Sequence, residues 1–178
     1  MHTTNSKIYL ITLPKSELSK VLIWKNDVNL ARLLVASEQP VSIENVKIWY
    51  ESTTADPNQV LLGIYNFVNK SLIGIARLMF IDYQHKTAEI GLYLGDESIR
   101  GRGFGKSSVN ELIQHAFLGM GLERLYLRVL DSNKAAQRCY LSCGFKQEGI
   151  YRKHVLINGE RKDMLLMGLL REEYQNLS

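Results

Sequence analysis

Hydrophobic positions change their period along the chain, and the changes mark the elements. Residues 8–13 read as a first strand, closed by Pro14. Across residues 16–35, Leu18, Val21 and Leu22, then Leu30, Leu33 and Leu34, recur at helical spacing. Asn26-Asp27 interrupts that run, which predicts two short helices with a bend. Ser42 is placed to cap a third helix whose apolar face carries Ile43, Val46, Trp49 and Tyr50. After the loop at Ala55-Asp56-Pro57-Asn58 the pattern becomes extended. Residues 60–68, 72–80 and 88–94 read as three strands, with turns at Asn69-Lys70 and at residues 82–86.

Helical spacing returns in residues 104–120. Val109, Leu112, Ile113, Ala116, Phe117 and Met120 form one stripe, the mark of an amphipathic helix lying on a sheet. Gly119 and Gly121 end it. Residues 124–130 are the next strand. Asp131-Ser132-Asn133 caps a short helix bearing Ala136, Cys139, Tyr140 and Cys143, closed by Gly144. Strands at 145–157 and 164–170 flank Asn158-Gly159, a two-residue hairpin signal. The pattern predicts one mixed α/β domain over residues 1–178, with no repeat or linker.

Between the strand at 88–94 and the helix at 104 lies Arg100-Gly101-Arg102-Gly103-Phe104-Gly105-Lys106-Ser107. Glycines at alternate positions open backbone angles closed to other residues. The helix that follows adds unpaired N–H groups and the positive end of its dipole. Arg100, Arg102 and Lys106 add charge. Strand, glycine turn and helix N-terminus together make an anion site suited to phosphate or pyrophosphate. Spacing separates the known loops of this kind. G-x-x-x-x-G-K-[ST] requires glycine where Arg100 stands. G-x-G-x-x-G requires it at Lys106 or Ser108. The pattern [QR]-x-x-G-x-[GA] is met by Arg100, Gly103 and Gly105.

Composition narrows the classes. At 178 residues the chain is long enough for a substantial core, and no apolar run approaches the ~20 residues that span a bilayer. Residues 1–7 are polar, without a secretory apolar region, which predicts a cytoplasmic protein that binds no membrane. The net charge of +4 suits an anionic ligand, and no stripe of Lys/Arg with aromatics points to nucleic acid. Cys139 and Cys143 read as buried thiols rather than metal ligands, since no Cys/His pair has ligand spacing.

The [QR]-x-x-G-x-[GA] loop is the pyrophosphate loop of the GCN5-related N-acetyltransferases (GNAT), and the chain resembles that family over about its last 110 residues. The strand Ile90-Gly91-Leu92-Tyr93-Leu94 and the run N-K-A-A-Q-R-C-Y-L-S-C-G-F from Asn133 to Phe145 carry the likeness, the latter resembling the family's N-x-x-A…Y…GF signature. The stretch E-G-I-Y-R, the I-N-G-E-R-K-D hairpin and the closing R-E-E-Y look like the RimJ/RimL-type branch, which includes ribosomal-protein amino-terminal and spermidine acetyltransferases. Trp24-Lys25-Asn26-Asp27 is similar to a W-[RK]-N-D segment in members acting on nucleotide-linked amino sugars.

The resemblance implies a mixed, mostly antiparallel central sheet, splayed where acetyl-CoA binds and flanked by helices on both faces. It implies direct transfer of acetyl from acetyl-CoA to an amine, with no metal. The cofactor's pyrophosphate would lie on Arg100, Gly101, Arg102, Gly103, Phe104, Gly105, Lys106 and Ser107, using backbone N–H groups of residues 102–107. Its pantetheine arm would pair with the backbone of Leu92, Tyr93 and Leu94, a backbone N–H near Leu92 serving the oxyanion. Asn133, Ala136 and Tyr140 would complete the cofactor site, and Tyr140 would protonate the leaving thiolate.

An attacking amine must lose a proton, and Glu89 is the candidate base. Period-two counting puts Glu89, Gly91 and Tyr93 on one face and Ile90, Leu92 and Leu94 on the other. A carboxylate among apolar residues would be tuned toward neutrality; a solvated glutamate on the sheet is the competing reading. His85 and His154 are weaker alternatives, expected in loops. Acceptor choice would rest on Trp24, the helix from Ser42 to Tyr50, and Tyr151, Arg152 and His154. Because Arg152 and Lys153 disfavour a polycation and acids are sparse in the amino-terminal helices (Glu17, Asp27, Glu38, Glu44), polyamines rank below a peptide N-terminus or an amino sugar. A non-catalytic acyl-CoA sensor and a nucleotide-binding regulator remain alternatives, and a homodimer through an exposed strand 164–170 is expected.

Overall fold

The structure is a computed structural model and describes residues 7–99 and 101–175. Seven strands form one sheet: β1 (Ile8–Thr12), β2 (Val60–Asn66), β3 (Leu72–Asp82), β4 (Thr87–Leu94), β5 (Arg124–Leu130), β6 (Lys146–Ile157) and β7 (Glu160–Leu170). Their order is β1-β2-β3-β4-β5-β7-β6. Every neighbouring pair is antiparallel except β4–β5. That parallel pair requires a crossover, supplied by α4 (Phe104–Gln114). β4 and β5 are paired only from Thr87–Arg124 to Glu89–Tyr126, and then part. The sheet is therefore splayed beyond Glu89.

The remaining helices are α1 (Leu18–Lys25), α2 (Val28–Leu33), α3 (Ile43–Ala55), α5 (Lys134–Ser142) and the short α6 (Arg171–Gln175), which the sequence pattern did not announce. The bend between α1 and α2 has a local cause. Asp27 Oδ1 accepts the N–H groups of Asn29 and Leu30 at 2.9 and 3.1 Å and starts a new helix. Ser42 and Asn45 cap α3 reciprocally.

Alternation along the strands feeds two cores. On one face Leu62, Ala76, Leu78 and Ile90 meet Val109, Leu112, Ile113 and Phe117. On the other, Leu61, Leu72 and Ile75 meet Leu18, Val21, Trp24 and Val46 of α1 and α3. Helices thus cover both faces. The expected helix at 104–120 is α-helical only through Gln114; His115–Gly119 widens into a π turn, with Met120 N–H donating to His115 O at 3.1 Å.

The expected dimerising edge is corrected. β7 begins at Glu160 and lies between β5 and β6, hydrogen-bonded on both sides, so residues 164–170 are interior. Met164, Leu165, Met167 and Leu169 are buried from both faces, the pattern of an interior strand, whereas β6 is exposed along nearly its whole length. The open edges are β1 and β6. Among the described residues, no helix is long and apolar enough to cross a membrane.

Candidate active site

The glycine loop joins β4 to α4 through a 3-10 turn at Glu97–Ile99. Gly103, the residue before the first turn of α4, has φ +85°, and Gly101 has φ +75°; this left-handed region is strained for other residues. Among the described residues the N–H groups of Phe104, Gly105 and Lys106, in the first turn, have no partner. Ser107 differs from expectation. Its N–H donates to Gly103 O at 3.1 Å, closing the first helical turn, so only its hydroxyl is left for a ligand. Arg100 lies outside the described residues. Arg102 and Lys106 are exposed around the loop. A cation missed in the sequence joins them: Lys7 Nζ donates to Arg102 O at 2.8 Å from the start of β1.

Leu92, Tyr93 and Leu94 pair with Ala76, Ile75 and Gly74 of β3. Their opposite backbone edge lies beyond the last β4–β5 pair and faces the splay. Across that gap Asn133 caps α5, its Oδ1 accepting Ala136 N–H at 3.1 Å. Tyr140 projects from the same helix, buried, its ring 5.7 Å from that of Phe145. Burial raises its phenol above the ordinary value. Among the described residues its hydroxyl makes no hydrogen bond, so it is a donor without an internal acceptor.

A cavity of about 580 Å³ occupies the splay. Asn133, Ala136 and Tyr140 line one end, Glu89 to Tyr93 of β4 run along it, and Trp24, Lys25 and Trp49 line the other. Trp24 packs edge-on against Tyr93, with centroids 5.9 Å apart. It can sit there because the next residue after β4 is glycine: a β-carbon on Gly95 would fall 1.9 Å from Trp24 Cε2.

Glu89 is neither solvated nor surrounded by apolar groups alone. It is 6% exposed, and Arg128 forks onto it, Nε to Oε1 at 2.9 Å and Nη2 to Oε2 at 3.0 Å. Tyr126 is the register partner of Glu89, and Arg128, two residues on, shares its face. The shared hydrogen bonds hold the guanidinium charged, above its ordinary value. Arg128 was missed in the sequence: alternation along residues 124–130 puts it on one face with Tyr126, but does not give its partner. His154 is also corrected: it belongs to β6, at a bulge, and lines the cavity. His85 stays in the β3–β4 turn, away from it. Tyr151 and Arg152 are exposed and do not line the cavity.

Comparison with known proteins agrees with this architecture. Residues 28–145, more than half of the chain, match the model of the Acetyltransferase (GNAT) family. The chain belongs to this family and is an acetyl-CoA-dependent N-acetyltransferase. It is 29% identical over 175 residues to a spermidine N(1)-acetyltransferase of Vibrio cholerae, covering 98% of this chain and 99% of the relative. It is 27% identical over 158 residues to YdaF, a putative ribosomal N-acetyltransferase of Bacillus subtilis, covering 86% and 85% of the two chains. The crystal structure of spermidine N-acetyltransferase from Vibrio cholerae in complex with CoA and spermine superposes with a TM-score of 0.90 at 26% identity, over 97% of this chain and all of that one.

Proposed function

We propose that this enzyme acetylates the primary amine of a small molecule bound at the Trp24–Trp49 end of the cavity. The observation that carries this reading is the single cavity joining Tyr140 to Trp49 across the β4 backbone. Its volume of about 580 Å³ falls within the range of small-molecule sites. That space must also admit the acetyl end of the cofactor, which leaves room for a small acceptor.

In this reading the residues divide the work as follows. The pyrophosphate lies on the N–H groups of Phe104, Gly105 and Lys106, with Gly101, Gly103 and the Ser107 hydroxyl shaping the site and Arg100, Arg102 and Lys106 adding charge. Pantetheine pairs with the free backbone edge of Leu92 to Leu94. Asn133 and Ala136 border the thioester, and Tyr140 donates its proton to the departing thiolate. Glu89 receives the amine's proton, directly or through water. An ionised carboxylate has about four acceptor sites, so two remain after Arg128 is served. Residues 1–178 act as one acetyltransferase domain. Two unpaired thiols and dependence on acetyl-CoA support the cytoplasmic location.

Similarity favours a more specific acceptor. The relative that matches nearly the whole chain acts on spermidine, which supports a polyamine despite the sparse acids that ranked polyamines last. The RimJ/RimL-type reading rests on partial similarity, through the putative ribosomal enzyme. The test follows thiol release from acetyl-CoA with spermidine, other small amines, nucleotide-linked amino sugars and short peptides with free N-termini. Turnover confined to small amines is the expected result. Turnover with peptides alone, or no binding of CoA, would overturn the reading.

A further inference from the structure

The acceptor end of the cavity carries charges that acetyl transfer itself does not require. Lys25, the last residue of α1, and Arg77, in β3, both line it and flank one indole. Lys25 Nζ stands 3.9 Å from the Trp49 ring centroid, and Arg77 Cζ 5.8 Å from the same ring. Among the described residues neither makes an ion pair. Arg77 Nη2 donates to a neutral acceptor, Gln59 Oε1, and its Nε is buried without a partner. Burial holds both groups below their ordinary values, and Arg77 lowers Lys25 further.

The carboxylates that would offset these cations are committed elsewhere. Among the described residues Glu89 is the one carboxylate lining the cavity, and its charge is paired with Arg128. On the nearby helices and the loop between α2 and α3, Asp27 caps α2, Glu38 pairs with Arg32, and Glu44 pairs with Lys47. Neighbouring half-buried cations without a counter-ion are costly in the free protein. Such an arrangement is a mark of a functional site, where a ligand supplies the missing charge.

Resting on the small-amine reading above, we propose that Lys25 and Arg77 form an anion subsite, and that the acceptor is a small amine also bearing a carboxylate or phosphate. Arg77 is the register partner of Gly91, and Glu89 lies two residues along the same face. An anion held at Arg77 leaves the amine of a short molecule beside Glu89 and the β4 backbone. A polyamine would instead set further ammonium groups against Lys25 and Arg77. In this chain the subsite moves acceptor choice away from the polyamine-acetylating relative.

The chain's two tryptophans both line the cavity, so intrinsic fluorescence reads its occupancy. With CoA saturating the pyrophosphate loop, phosphoethanolamine is titrated against ethanolamine, β-alanine against β-alaninamide, and spermidine against all four. The expected result is saturable binding of at least one anionic amine, tenfold or more tighter than its counterpart lacking the anion and than spermidine. Which anionic amine binds separates phosphate from carboxylate recognition. Thiol-release kcat/KM should follow the same order. Arg77→Gln and Lys25→Gln should each erase at least tenfold of the preference, and Lys25→Glu should turn it toward spermidine. Calorimetry with acetyl-CoA identifies any variant that has failed to fold. No saturable change with an anionic amine, or binding indifferent to Lys25→Glu, overturns the subsite. Turnover of spermidine or ethanolamine without anion preference overturns it while leaving the acetyltransferase reading intact; failure to bind CoA removes both.

Discussion

Arg128 meets Glu89 fork to fork, at 2.9 and 3.0 Å, across the line where β4 and β5 part. The pair sets the orientation of a carboxylate that lines the cavity beside the free backbone edge of β4. Two planar groups joined by parallel hydrogen bonds have little freedom to turn.

Glu89→Gln keeps the shape and removes the proposed proton acceptor, so kcat should fall about 10²-fold or more, with acetyl-CoA affinity little changed. Arg128→Met should also lower stability, because it leaves a buried carboxylate unpaired. Losing hydrogen bonds to a charged group costs about 1–3 kcal/mol, and the lower end applies because the Arg128 side chain is 38% exposed. Urea unfolding with steady-state kinetics separates the effects. Wild-type kcat in Glu89→Gln would leave Glu89 a purely structural role.

Tyr140→Phe removes a hydroxyl that makes no hydrogen bond among the described residues. With no hydrogen bond to lose, folding stability should change by less than the ~1 kcal/mol of a typical hydrogen bond, while kcat falls about 10²-fold with acetyl-CoA affinity preserved. Thermal melts, calorimetry and thiol-release rates on one preparation check this. A turnover equal to wild type would take Tyr140 out of the reaction.

Lys7→Ala should weaken acetyl-CoA binding about fivefold, the equivalent of losing ~1 kcal/mol from one hydrogen bond. It deletes the donor that holds Arg102 O at 2.8 Å and one positive charge beside the loop. The salt dependence of cofactor binding should also become shallower. An unchanged affinity at low salt would make Lys7 a bystander.

Arg124 and Glu148 pair across β7, in space left open by Gly168, where a β-carbon would collide with the Glu148 carboxylate. The hydrogen bond from Arg124 holds the Glu148 carboxyl below its ordinary value. A folded-state value below the unfolded one gives stability that is present above the ordinary glutamate range and lost as pH falls through the lowered value. Melting temperature from pH 7 to 3 should thus fall more steeply in wild type than in Glu148→Gln. Parallel curves would show that the exposed parts of the pair are too screened to matter.

Much of this was legible in short windows of sequence. The Gly103–α4 junction, the bend at Asn26-Asp27, the Ser42 and Asn133 caps and the Asn158-Gly159 hairpin each depend on residues within a few positions of one another. Alternation alone placed Glu89 and Tyr93 on the same face of β4, as observed. The β7 position was written in its apolar run too, but an interior strand and an edge strand both satisfy a hairpin.

What sequence could not decide was which distant side chains meet. Glu89 and Arg128 are 39 residues apart, and Lys7 and Arg102 are 95 apart. Lys25 and Arg77 come together only because α1 packs over β3. Local propensity acts through backbone geometry and is nearly independent of the remaining chain. Charge partnership depends on strand order, register and the point where β4 and β5 separate. The sequence by itself therefore determined an acetyltransferase scaffold with its anion loop, and the tertiary structure decided which charges meet around the cavity.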